Sequence, residues 1–192
     1  MTLFLILAPF GAFATLMLVA SPTVSLFAAA AVALGIVAWD LVRGGSLKLL
    51  AAGSLLLFTA LGCYLTLVDG NWSGIAVRVA VDGGVLAIAL LSLAIRLPFT
   101  LQYAREAVDS ETMNRPGFVA ANDILTMVWI AAFVMMLVAD ILMIYAPSLP
   151  LWVGVAIAFA ARNGALYFTK WYPQYRRETY GGQTAAAGAA KS

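Results

Sequence analysis

Residues 119–145 read VAANDILTMVWIAAFVMMLVADILMIY, with only Asp123 and Asp140 charged. At about 1.5 Å of rise per residue, a helix of this stretch exceeds the ~30 Å hydrocarbon core of a bilayer. No alternation of apolar and polar positions runs through it, which excludes a strand of a membrane β-barrel. The stretch reads as a membrane-spanning helix, and the chain around it repeats the pattern. Residues 2–20, 24–42, 49–68, 75–96 and 151–171 are apolar runs of comparable length. Turn-forming residues separate them: Ser21-Pro22-Thr23, Arg43-Gly44-Gly45-Ser46, Asp69-Gly70-Asn71 and Pro147-Ser148-Leu149-Pro150. The expectation is an all-α bundle of six transmembrane helices forming one domain over residues 1–180.

Composition agrees with that reading. Of 192 residues, 64% are hydrophobic and 10% charged, against about 25% charged in soluble domains. A water-soluble enzyme, a disordered chain and a secreted disulfide scaffold are excluded. Eleven Lys+Arg against nine Asp+Glu leave no basic excess for nucleic acid. The chain has no histidine, which removes His-ligated haem, His-based zinc and every His-dependent triad. The lone Cys63 excludes an intrachain disulfide and a Cys-cluster metal site.

Basic residues set the direction of the spans. Arg43 and Lys48 lie between spans two and three, Arg96, Arg105 and Arg115 flank or occupy the segment between spans four and five, and Lys170, Arg176, Arg177 and Lys191 lie at or after the end of span six. The connectors 21–23, 69–74 and 146–150 carry none. By the positive-inside rule, both termini are expected in the cytoplasm. The first span resembles a signal peptide at Leu18-Val19-Ala20-Ser21, but its start lacks a basic region, so a retained helix is expected. Tyr64, Trp72, Tyr145 and Trp152 fall at the outer interface, and Trp39, Tyr103, Tyr167, Trp171, Tyr172 and Tyr175 at the inner one.

Residues 97–118, LPFTLQYAREAVDSETMNRPGF, form the longest polar stretch. Pro98 suits a first helical turn, and Phe99, Tyr103 and Ala107 recur every fourth residue. The segment reads either as a short interfacial helix on the cytoplasmic leaflet or as a solvated connector. Residues 181–192, GGQTAAAGAAKS, are low in complexity and expected to be disordered.

The informative charges lie inside the spans: Arg78, Asp82, Asp140 and Arg162. An ionised group at the bilayer centre is costly, so these should face the bundle interior and find partners. Arg78 and Asp82 are four apart on one helix face. Asp82 and Asp140 lie roughly 10 Å from the outer end of their spans and Arg162 about 16 Å, a gap its long stem would bridge. The expected pairs are Arg78–Asp82 and Asp140–Arg162. Gly154 and Ala158, spaced by four before Arg162, and Gly83 with Ala87 offer small surfaces for close approach. Asn122 and Asp140 are five turns apart, and Trp129 shares their side, so span five carries a polar seam. Asp40, Asp69 and Asp123 lie near span ends, where solvation is ordinary.

Two functional readings follow. In one, Arg78, Asp82, Asp140 and Arg162 hold helices in register within a non-catalytic scaffold or complex subunit. In the other, the same four with Asn122 line the pathway of a small transporter or channel for protons or a charged solute. An enzyme is not expected: Asp69-Gly70 and Asp82-Gly83-Gly84 are isolated Asp-Gly pairs without further acidic residues, and Cys63 has no basic neighbour to activate it. No catalytic, cofactor-binding or metal residues are assigned, and no cofactor is called for. The expected partners are the lipid bilayer and other membrane proteins or further copies of the chain, and nucleic acid is not among them.

The chain from span four onward carries a recognisable order. Leu97-Pro98-Phe99-Thr100-Leu101-Gln102 closes one helix, and Phe118-Val119-Ala120-Ala121-Asn122 opens the next. Tyr145-Ala146-Pro147 ends that helix, and Leu151-Trp152-Val153 starts the last. This resembles the intracellular septation protein A family of small polytopic inner-membrane proteins, at Pro98, Gln102, Asn122, Pro147, Trp152 and Val153. Asp140 and Arg162 have no counterpart in that pattern. The resemblance implies a bacterial cytoplasmic-membrane protein linked to cell-envelope synthesis or division, without enzymatic activity. The halves of three spans have the parity of an inverted repeat, although no sequence repeat joins them.

Overall fold

The computed structural model describes residues 2–106, 108–113, 116–146 and 148–189. Ala107, Arg115, Pro147 and Lys191, used above for periodicity, charge and resemblance, lie outside the described residues. The elements in order are α1 (Thr2–Leu16), α2 (Pro22–Val42), α3 (Leu49–Leu67), α4 (Gly74–Ala94), α5 (Phe99–Arg105), α6 (Ser110–Met113), α7 (Pro116–Tyr145) and α8 (Leu151–Ala189). The described residues contain no strand. Helices α2, α3, α4 and most of α7 are long and apolar enough to cross a bilayer, as a membrane-embedded protein requires.

The two outer elements differ from the expected spans. Helix α1 stops at Leu16 instead of continuing to residue 20, because Leu18 and Val19 donate to carbonyls three residues back and tighten the chain into turns. At about 1.5 Å per residue, its 15 residues cover only about 22 Å. Helix α8 is long, but Arg162, Asn163 and Lys170 interrupt its apolar character. It also continues through residues 181–189, where composition points to disorder; the alanines there are strong helix formers.

Capping chemistry places the main turns. Ser21 and Ser73 accept from the Val24 and Ala76 amides and start α2 and α4, with Pro22 in the first turn of α2. Both helices end in Schellman geometry. After α2, Gly44 at φ +72° donates to Leu41 and Gly45 to Asp40. After α4, Arg96 takes the left-handed position at φ +58°, with Arg96 donating to Leu93 and Leu97 to Ser92. A non-glycine residue there costs about 1 kcal/mol or more.

Two apolar cores hold the bundle. Phe13 of α1 joins Leu26 and Ala29 of α2, Phe58 of α3 and Val77 and Val81 of α4. The second core joins Val85 and Ala89 of α4, Phe99 and Tyr103 of α5, Trp129 and Phe133 of α7, and Ala161 and Ala165 of α8. Glycines set the closest approaches: Gly62 meets the Phe27 ring, Gly53 meets Ile88, Gly84 meets Leu57 and Gly154 meets Met143. The close contact on α4 therefore falls at Gly84, one position round the helix from Gly83, which has nothing within 4 Å.

Within segment 97–118 the two short helices differ: α5 packs inward, whereas α6 has no buried residue. Phe99, Thr100, Leu101 and Tyr103 are buried, and α5 plugs one end of the bundle against α7. Pro98 is the N-cap of α5. That end also gathers the 43–48 turn and the second half of α8, where Arg176 donates to the Gly117 carbonyl at 3.0 Å.

Candidate functional site

Two polar centres lie in the bundle, and only one lies among the expected residues. The unexpected one is built by the turn after α2. Gly45 closes against the Asp40 carbonyl so tightly that a Cβ there would lie 2.9 Å from that oxygen. The chain then doubles back and brings Lys48 beside Asp40. The Lys48 side chain is 1% exposed, its Nζ 2.6 Å from Asp40 Oδ2 and 3.0 Å from Glu106 Oε2. The ammonium also lies 5.1 Å from the centre of the Tyr103 ring. Burial by itself lowers the Lys48 pKa, but hydrogen bonds and charge from the two carboxylates outweigh it and hold the pKa above 10.5. Burial, then Asp40 and Glu106, push the Tyr103 phenol above its usual range.

Gln102 completes this centre. Its Oε1 accepts from the Leu49 amide at 2.7 Å and its Nε2 donates to the Leu97 carbonyl at 3.0 Å, tying α5 to the start of α3. Sequence reasoning placed Lys48 among ordinary loop charges and Asp40 at a solvated helix end. The one available signal was an acid and a base flanking a Gly-Gly turn, and nothing in spacing brings Glu106 to them.

The expected intramembrane cluster is rearranged. Arg78 Nε approaches Asp140 Oδ1 to 3.8 Å and joins α4 to α7, replacing both expected pairs. Depth gives the reason. Arg78 is four residues into α4 and Asp140 five before the end of α7, each about 6–8 Å from the same end. Asp82 lies one turn deeper on α4, half-buried, in the electrostatic field of both Asp140 and Arg78. Arg162 is eleven residues into α8, about 16 Å down, and its stem does not bridge the gap. Its Nε is buried without a hydrogen-bond partner among the described residues. Gly154 and Val155 of α8 pack at the level of the ion pair, and the space left there is about 10 Å³.

The polar seam of α7 resolves into three separate bridges. Asn122, Trp129 and Asp140 are all buried. At the Asn122 level, Thr100 of α5 donates to the Asn122 carbonyl at 2.8 Å and shares a 2.8 Å hydrogen bond with Thr126. The Asn122 Nδ2 donates to Phe118 O, and its Oδ1 has no partner among the described residues. Trp129 Nε1 donates to Thr169 Oγ1 of α8 at 3.0 Å. Asp140 turns to Arg78 of α4. One helix is thus fastened by polar contacts to three neighbours at three depths. Comparison with family models, with curated proteins and with solved structures gives no match to this chain.

Proposed function

We propose that the chain is a multi-pass protein of the bacterial cytoplasmic membrane, with six spans and both termini in the cytoplasm, acting as a non-catalytic scaffold or complex subunit of the cell envelope. The observation that carries this reading is the Arg78–Asp140 contact, packed with only about 10 Å³ of space beside it. Closely packed opposite charges between α4 and α7 act as a register pin. The separate Thr100–Thr126 and Trp129–Thr169 bridges fix α7 in the same manner. The resemblance at Pro98, Gln102, Asn122, Trp152 and Val153 supports a role in envelope synthesis or division.

The apolar stretches of the sequence support six spans, and Lys and Arg in alternate connectors support inward termini. Cysteine labelling tests them in a Cys63→Ala background. An impermeant thiol reagent added to intact cells should label the Asn71→Cys variant and spare the Gly44→Cys variant. The reverse pattern refutes the orientation.

One observation favours a transporter or channel instead: Arg162 Nε and Asn122 Oδ1 are buried polar atoms without a protein partner among the described residues. Flux through proteoliposomes separates the readings. The double variant Arg78→Gln/Asp140→Asn should match the wild type, with no proton-coupled flux in either. Flux in the wild type that the double variant loses while remaining folded would overturn the scaffold reading.

A further inference from the structure

Helix α8 sits at the edge of the bundle, with α7 as its main neighbour. Its inner side is made of small residues: Gly154, Ala161 and Ala165 are buried, and Gly154 lies against Met143. The opposite side is also lined with small residues, and no described residue covers it. Ala156, Ala160, Asn163 and Tyr167 follow one another at steps of four, three and four, all are exposed, and they share one helix face. Gly164 beside them is exposed too, and a Cβ there would meet nothing within 4 Å. Alternating steps of four and three make the seam of a left-handed helix pair, and small residues on it let two backbones approach.

Asn163 distinguishes this face from one made for acyl chains. It lies twelve residues into α8, about 18 Å from the outer end and so near the middle of the ~30 Å hydrocarbon core. Its Nδ2 donates to the Phe159 carbonyl at 2.7 Å, which leaves the second Nδ2 hydrogen and Oδ1 without a partner among the described residues. Facing lipid, an amide in that state loses its water and gains nothing in exchange. One free donor and one free acceptor form a set complementary to itself. Across a two-fold axis each Asn163 donates to the other's Oδ1 and accepts in return. The first ionised residue on the seam is Lys170, about 28 Å along, where the helix reaches the interface and an ammonium keeps its water. A partner selected by charge has nothing to read within the span, whereas a second copy in the same orientation brings the matching amide to the matching depth.

We infer that α8 is the contact between two copies of this chain, packed in parallel about a two-fold axis along the membrane normal, with Ala156 and Ala160 at the closest approach and the two Asn163 amides paired between them. The inference rests on α8 being the sixth span, as proposed above, and not on the scaffold role. Energy transfer between copies labelled at Ser46→Cys in a Cys63→Ala background, diluted in phosphatidylcholine vesicles, tests it. The parent chain should self-associate. Asn163→Leu should need about a tenfold higher protein-to-lipid ratio to do so, while Asn163→Gln, which keeps the amide, should retain most of the association. Ala160→Ile should abolish it, and Ala31→Ile, the same added bulk on an exposed position of α2, should change nothing. All three positions are exposed in the single chain, so the bundle core is untouched. In cell membranes, copper-phenanthroline oxidation should link Ala160→Cys to a second copy and leave Met135→Cys, exposed on α7, unlinked. A monomeric parent chain, an Asn163→Leu variant that pairs as tightly as the parent, or linkage of Ala160→Cys to a different protein would each overturn the inference. The span is read separately: an impermeant thiol reagent on intact cells should label Ser148→Cys and spare Gln174→Cys. Equal labelling of the two removes the span and the interface with it, whereas a monomer with the span intact refutes the interface alone.

Discussion

Lys48→Met is expected to lower the unfolding free energy in detergent micelles by about 3 kcal/mol. The methionine keeps the packed stem but leaves Asp40 and Glu106 facing each other without the ammonium that now lies 2.6 and 3.0 Å away. The two carboxylates retain 25% and 35% exposure, which places the loss at the lower end of the ~3–5 kcal/mol range for a broken buried pair. Adding Asp40→Asn and Glu106→Gln should recover most of it, because a neutral replacement removes both desolvation and repulsion. The pH dependence has a definite sign. A lysine pKa raised above 10.5 means that its stabilisation is fully present below that pH and fades as pH rises beyond it. The wild type should therefore lose stability on an alkaline limb that Lys48→Met lacks. Equal unfolding midpoints for the wild type and the single variant would refute the role given to this centre.

The second large effect concerns the ion pair inside the bundle, and it should be asymmetric. Arg78→Leu leaves Asp140 and Asp82 near one another with no cation between α4 and α7, at an expected cost of about 2–3 kcal/mol. Asp140→Leu should cost less, because Asp82 lies one turn from Arg78 on the same helix and takes over as its counter-ion. The double variant Arg78→Leu/Asp140→Leu should be more stable than Arg78→Leu alone, with a coupling of at least about 1 kcal/mol. Denaturant titration of all four proteins reads the cycle. Additive single effects would mean that the 3.8 Å contact contributes nothing to the assembly.

The two polar centres were unequally legible. Arg78, Asp82, Asp140 and Arg162 stand out because lipid penalises every ionised group, so each one is visible against an apolar background. Who pairs with whom was not legible. Four-residue spacing favoured Arg78–Asp82, whereas matched depth and the α4–α7 packing bring Arg78 to Asp140. Lys48 was hidden for the opposite reason. Connectors carry charges routinely, and a buried lysine in a connector looks like a solvated one until its partners come from 8 and 58 positions away. The α5 plug was half legible: Phe99 and Tyr103 at four-residue spacing announced a helix, but the same pattern serves a membrane surface and a bundle interior alike.

Helical class, the apolar stretches and the charge asymmetry between the two ends could all be read from the order of residues, because they follow from backbone hydrogen bonding in lipid and from local hydrophobicity, which need no neighbours. Folding in three dimensions was needed to show that α1 ends early, that Gly84 and not Gly83 receives a partner, and that Lys48 is enclosed by Asp40 and Glu106. Those outcomes depend on how each helix is rotated and how deep each side chain lies. Lipid-facing and partner-facing apolar surfaces have the same composition, so only packing tells them apart.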